Sequence, residues 1–229
     1  MYTRNIAILA NSKKFHGHCI AGKDLNTGEW IRLINNKPEP FTGNDLLFLC
    51  NRESGPDLLE CYTISFTEKC PEYYQPENER ISGDKWILLN QFPLERLHEF
   101  EDTMPYEWIG NHQYDPAEHF DRILPDTLKK QPIQKSLIFC KINYHSDEAE
   151  IIYFNEKKGF KPSLRFKCGG IRYKLKITDI KTPQDPTVRP ATEKMKSAYV
   201  TIGLGHSFDA ANGAHFKLVV GIIRIPEGQ

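Results

Sequence analysis

The 229-residue chain carries 30 basic and 30 acidic side chains, for a formal net charge of zero, with 39% hydrophobic and 11% aromatic residues. That apolar content can bury one large core or two cores of about 100 residues each, and no apolar stretch approaches the length needed to span a bilayer. No signal peptide precedes the first strand-like run, so a cytoplasmic, reduced and soluble protein is expected, and secreted and membrane-spanning classes are set aside.

In chain order, residues 5–10, 18–23 and 30–34 read as short strands, with Asn26-Thr27-Gly28 turning the second into the third. Strands at 46–50, 61–67 and 86–89 follow, and the Pro- and Glu-rich stretch 68–84 reads as a long surface excursion. Strands about 8–12 residues apart, punctuated by Gly, Asn and Pro, indicate a sandwich or barrel. Residues 93–131 change texture. Leu94, Leu97 and Phe100 fall on helical spacing after Pro93, and 115–124 reads as a second short helix capped by Asp115. Strands return at 136–143, 150–154, 163–168, 171–178, 198–202 and 215–225. The expected fold class is all-β: an N-terminal barrel over 1–92, an acidic helical connector over 93–131 and a C-terminal barrel over 132–229. A helix plugging a barrel end fits the middle segment equally well.

Charge follows the same division. Residues 1–92 carry 10 basic and 12 acidic side chains (net −2), residues 93–131 carry 4 and 9 (net −5), and residues 132–229 carry 16 and 9 (net +7). One end of the molecule is built to attract anions. The source lies between Lys157 and Lys176, which hold eight basic residues and no acid. Within this stretch Gly169-Gly170 separates two alternating runs, a two-residue hairpin signal, because glycine tolerates the positive φ of a primed turn. Folded there, the ribbon pairs Lys167 with Arg172 and Arg165 with Lys174 on one face, extended by Lys176. Phe166 meets Tyr173 and Leu164 meets Leu175 on the other. Like charges placed opposite each other destabilise a sheet by roughly 0.2–1 kcal/mol per pair, so two such pairs suggest an anion held between them. Lysines on an exposed edge that discourage aggregation are the equally weighted alternative.

A second candidate anion site is Ser12-Lys13-Lys14-Phe15-His16-Gly17-His18, where Lys13 and Lys14 could hold phosphate on a glycine-containing turn. On the third strand Trp30 and Arg32 share a face and could form a base-stacking platform, although a tryptophan is more often core. His206 and His215 flank a small-residue loop and could act as acid and base in phosphodiester cleavage, but no partner carboxylate or metal motif is specified. No phosphate-loop, dinucleotide, nucleophile-elbow or zinc-protease string occurs. The six cysteines, Cys19, Cys50, Cys61, Cys70, Cys140 and Cys168, include no C-x-x-C pair, and Cys61 with Cys70 lacks zinc spacing. No cofactor, metal or disulfide is therefore expected.

Three strings together, Ser12-Lys13-Lys14 with 17–22, Gly28-Glu29-Trp30-Ile31-Arg32, and 199–204 with 215–224, resemble the bacterial family described as a dual OB-containing domain. The resemblance implies two OB-type barrels, a nucleic-acid or nucleotide role, and a setting of defence against foreign DNA. It supplies no catalytic residues. The resulting expectation is a protein that binds single-stranded or structured DNA or RNA through Lys13, Lys14, Trp30, Arg32, Arg165, Lys167, Arg172, Lys174 and Lys176, without catalysis. The alternatives are a nuclease or nucleotide-processing enzyme using His206 and His215, and an adaptor whose basic face meets an acidic protein.

Overall fold

The computed structural model describes all residues except 15, 38, 104–105, 112–119, 154, 157–158, 161, 183–191 and 227–229. The chain divides into two compact units, Met1–Phe100 and Glu101–Gln229.

The first unit contains β1 (Tyr2–Lys14), β2 (Gly17–Asp24), β3 (Trp30–Ile34), α1 (Gly43–Cys50), β4 (Glu60–Lys69), β5 (Asn78–Ile81) and β6 (Ile87–Gln91). The strand order β1-β2-β3-β5-β4 closes on itself because β1 also pairs with β4, and β3 runs parallel to β5. This is a closed five-stranded Greek-key barrel of the OB type. β1 can serve two neighbours because it is long and bends at a register shift between Ile8 and Ala10. A glycine is needed opposite it, since a Cβ on Gly22 would stand 2.1 Å from the Ala7 carbonyl oxygen. Ile6, Ile8, Ile20, Ile31, Leu33, Tyr62, Ile64 and Phe66 fill the interior, and Phe41, Leu46, Leu49 and Trp86 close it.

Two expectations change here. Residues 46–50 are not a strand but the second half of α1. Its N-cap Thr42 accepts from the Asp45 N–H, and the Asp45 carboxylate accepts from the Thr42 N–H in return, a capping box that outweighs the β-like appearance of the apolar run. Residues 68–84 are not wholly an excursion, because they contain β5, the strand that joins β3 to β4 in the barrel. Its Glu79 is buried with Arg4 at 3.1 Å and accepts from the Tyr2 hydroxyl at 2.8 Å.

The span 93–131 is divided between the units. Leu94–Phe100 is a 3-10 helix of the first unit, with Leu97 and Phe100 buried as its spacing suggested. In the second unit, Trp108 is fully buried and donates its indole N–H to the Lys135 carbonyl at 2.9 Å. Of the helix expected at 115–124, residues 115–119 lie outside the described residues. Arg122–Ile123 forms a short strand, β7, and helix α2 begins later, at Pro125–Lys130.

The rest of the second unit is β8 (Leu137–Ile142), α3 (Tyr144–Asp147), β9 (Glu150–Ile152), β10 (Asn155–Glu156), β11 (Gly159–Phe160), β12 (Ser163–Cys168), β13 (Ile171–Ile177), β14 (Thr192–Lys194), β15 (Ala198–Phe208) and β16 (Ala214–Arg224). β10 and β11 make a separate ribbon, and the main sheet runs β14-β9-β12-β13-β16-β15-β8 with β7 on β16. β8 and β9 are consecutive in the chain, interrupted by α3. Taken as one broken first strand, they make the order first-β12-β13-β16-β15-first, with β13 parallel to β16. That is the order of the first unit, including the position of its parallel pair.

Candidate nucleic-acid interface

The β12–β13 hairpin occupies the place of strands 2 and 3 in the second barrel. Gly169 and Gly170 both have positive φ, 58° and 80°, as a type I′ turn requires. The register is the one expected from the alternation: Arg165 opposite Lys174, Phe166 opposite Tyr173, Lys167 opposite Arg172. Leu164, Phe166, Tyr173 and Leu175 are buried, with the Phe166 and Tyr173 rings stacked at 5.2 Å. Arg165, Arg172, Lys174 and Lys176 are exposed, and Lys167 is half-buried.

This face carries two carboxylates that sequence reasoning did not place there. Glu150 of β9 lies opposite Arg165 and is hydrogen-bonded to it. Glu148, just after α3, bonds Lys167 through Oε1 and reaches Arg172 through Oε2 at 3.3 Å. The Lys167 bond is the main reason the Glu148 carboxyl titrates below its usual range. On the far side of β9, Lys194 of β14 stands opposite Glu150, and its ammonium lies 4.2 Å from the Tyr144 ring centroid. Among the described residues the face therefore holds six cations (Arg165, Lys167, Arg172, Lys174, Lys176 and Lys194) interleaved with Glu148 and Glu150. Tyr144 adds an aromatic at its border. Neither Glu148, Tyr144 nor Lys194 had a local sequence signal: sheet register brings Lys194 to the hairpin, and the break at α3 brings Tyr144 and Glu148.

The corresponding face of the first barrel is different. Trp30 and Arg32 share a face, as the alternation required, but they are 7% and 9% exposed. Arg32 pairs with Glu77 at 3.3 Å. Opposite Trp30, the buried Lys23 places its ammonium 5.2 Å from the indole centroid and donates to the Phe100 carbonyl at 2.7 Å. A base cannot stack on this tryptophan without displacing those groups, which corrects the stacking platform expected at Trp30 and Arg32. Lys13 and Lys14 end β1 instead of lying in a loop. Lys13 is exposed, and the Lys14 side chain lies outside the described residues. Lys13 is opposite His18, whose imidazole meets the Asn11 Oδ1 at 3.0 Å and is pushed below its ordinary pKa by burial first and by Lys13 second.

His206 and His215 do not share a solvent-facing site. His206 is exposed, whereas His215 is 0% exposed, with Nδ1 3.0 Å from the Gly205 carbonyl. The register shift between Leu204 and Ser207 leaves His206 in an irregular stretch beside Ser207, the partner of His215, with one imidazole exposed and the other buried. A sealed imidazole cannot trade protons with a substrate at the surface. All six cysteines are free thiols, and among the described residues no cluster of three metal-ligating side chains forms. No helix among the described residues is long and apolar enough to cross a membrane.

A family model described as the dual OB-containing domain matches residues 4–222, nearly the whole chain. No curated protein matches. Among solved structures, one described as "Structural mimicry for functional antagonism" aligns over 95% of this chain and 87% of its own, at 11% identity and a TM-score of 0.37. A murine DNA-binding protein bound with double-stranded DNA aligns over 100% of this chain and 99% of its own, at 6% identity and a TM-score of 0.34. At these scores neither likeness bears on function.

Proposed function

The chain belongs to the dual OB-containing domain family, and from that premise we propose that it binds single-stranded or structured nucleic acid through the second barrel. One observation carries the reading: the cationic face of β12 and β13 lies on strands 2 and 3, the pair that OB barrels present to oligonucleotides. Arg165, Lys167, Arg172, Lys174 and Lys176 are the proposed backbone contacts, with Lys194 and Tyr144 at the border. Lys13, exposed at the end of β1, is a further contact proposed on the first barrel. The family resemblance extends this reading to a setting of defence against foreign DNA.

Phosphate contacts of this kind position a strand without reading its bases. Each phosphate neutralised releases counterions, so log K should fall with log salt at a slope of about −0.7 per contact on single strands. The test is an anisotropy titration of labelled single-stranded DNA and RNA at two salt concentrations, with the unaltered protein and with Lys174→Glu plus Lys176→Glu. Salt-sensitive binding that the double variant loses supports the reading. No binding at low salt, or binding that the variant keeps, overturns it. Binding confined to an acidic protein, with no oligonucleotide competition, would indicate the adaptor instead.

A further inference from the structure

Glu148 is the residue on the cationic face that strand geometry does not account for. It follows α3 with φ 51°, in the left-handed region that residues other than glycine seldom enter. The break that holds it there is well built: the Asn143 side chain caps α3 by accepting from the Ser146 N–H at 2.8 Å, and the Asp147 carboxylate accepts from the Asn143 N–H at 2.8 Å. From this perch its two oxygens contact two different cations, Lys167 and Arg172, which stand opposite each other across the hairpin. The group is half exposed, at 50% of its side-chain surface, so solvent and ligands can reach it. Glu150 is unlike it, since it sits within β9, buried, and is part of the sheet.

We propose that Glu148 is a specificity-determining residue of the nucleic-acid face, an internal carboxylate standing where a backbone phosphate would bridge Lys167 and Arg172. The inference rests on the nucleic-acid reading above. A phosphate entering this position exchanges one charge-assisted pair for another, so a solitary anion gains little from the exchange. A polyanion also contacts Lys174 and Lys176, and displacement of Glu148 becomes one step of a multivalent engagement. Glu148 thus selects a phosphate chain over free phosphate, pyrophosphate and mononucleotides.

Glu148→Gln removes the charge and keeps the shape. Affinity for a labelled single strand of about 16 nucleotides is expected to rise on the order of tenfold at low salt, and the salt slope to steepen by about 0.7 to 1.4 as one or two cations are released. Inorganic pyrophosphate, a poor competitor against the unaltered protein, is expected to compete well against the variant. The melting temperature should fall, because Lys167 and Arg172 again repel each other without a counter-charge. Should the Gln variant fold poorly, Glu148→Asn, which suits a left-handed backbone, supplies the same readout. If the unaltered protein binds and the variant matches it in affinity, slope and pyrophosphate sensitivity, the inference fails and the nucleic-acid reading stands. If neither protein binds an oligonucleotide, both fail together. Glu99→Gln, at a carboxylate paired with Arg96 in the first unit, controls for net charge; an equal gain from it would also overturn the inference.

Discussion

Lys174 stands directly opposite Arg165 across the β12–β13 hairpin, two cations face to face on an exposed strand pair. Arg165 has Glu150 on its other flank, so the neighbouring strand supplies Arg165 with a counter-charge while its cross-strand pairing stays like-signed. Lys174→Glu should convert that pairing to an attractive one and stabilise the second barrel by about 0.2–1 kcal/mol, while reducing the salt slope of oligonucleotide binding by about 0.7. Urea denaturation and titration of the same variant check the two signs. A gain in stability with unchanged binding would make the hairpin an ordinary solvated edge.

Trp30 offers the opposite test. Replacement by Phe is expected to cost about 1–3 kcal/mol, because a large ring is removed from beneath the Lys23 ammonium, and to leave oligonucleotide affinity where it was. Loss of binding in a variant that remains folded would return Trp30 to the list of stacking residues.

Thr42→Ala should destabilise the first barrel by about 1 kcal/mol by removing the N-cap of α1. Acid sensitivity should change with it. Burial raises the Asp45 pKa, but the bonds from Thr42 and the charge of Lys37 outweigh it and hold the carboxyl below its ordinary value. A depressed carboxyl contributes stability that is present above the unfolded pKa of about 3.9 and is lost as pH falls towards the folded value. The variant's stability should therefore decline less steeply below about pH 4, as read from denaturation curves at several pH values.

Asp179 carries the reverse sign. It is 2% exposed, accepts from the Thr182 hydroxyl at 3.0 Å, and its burial pushes the carboxyl up to about 6. A raised folded pKa favours the fold in acid and works against it as pH rises through about 6, where a buried carboxylate must ionise. Asp179→Asn should stabilise the protein by on the order of 1–3 kcal/mol at pH 7.5, with the gain gone at pH 4. A gain that persists unchanged at pH 4 would place the effect elsewhere than in ionisation.

The β12–β13 hairpin could be read to the residue because everything that sets it is local: period-two alternation from Ser163 to Ile177 and two glycines at the turn. α1 was misread because Leu46-Leu47-Phe48-Leu49-Cys50 is a continuous apolar run, which fits a buried strand as well as a helix. Its one distinguishing signal was Thr42 three residues before Asp45. β5 was missed because Asn78-Glu79-Arg80-Ile81 has little strand propensity and is held by partners far away in sequence, Arg4 and Tyr2 among them. The cationic side chains of the candidate face were legible, but its acids were not. Glu148 lies 19 residues from Lys167 and 24 from Arg172, and no local pattern joins them. Burial of Trp30 and Arg32 likewise depends on Glu77 and Phe100, which no strand pattern connects to β3.

The two barrels differ in how their first strand is made, and this bears on how each would breathe. In the first, the unbroken β1 carries both the β2 and the β4 ladders, so unpairing one tugs directly on the other. In the second, β8 pairs with β15 and β9 with β12, and residues 143–149 lie between the two ladders as a seam. Either side of that seam can open while its counterpart stays closed, so amide exchange should sort the β8 and β9 protons into separate protection classes, whereas β1 exchanges as one block. Glu148 sits on the seam itself, and displacing its carboxylate would loosen a joint the fold already contains.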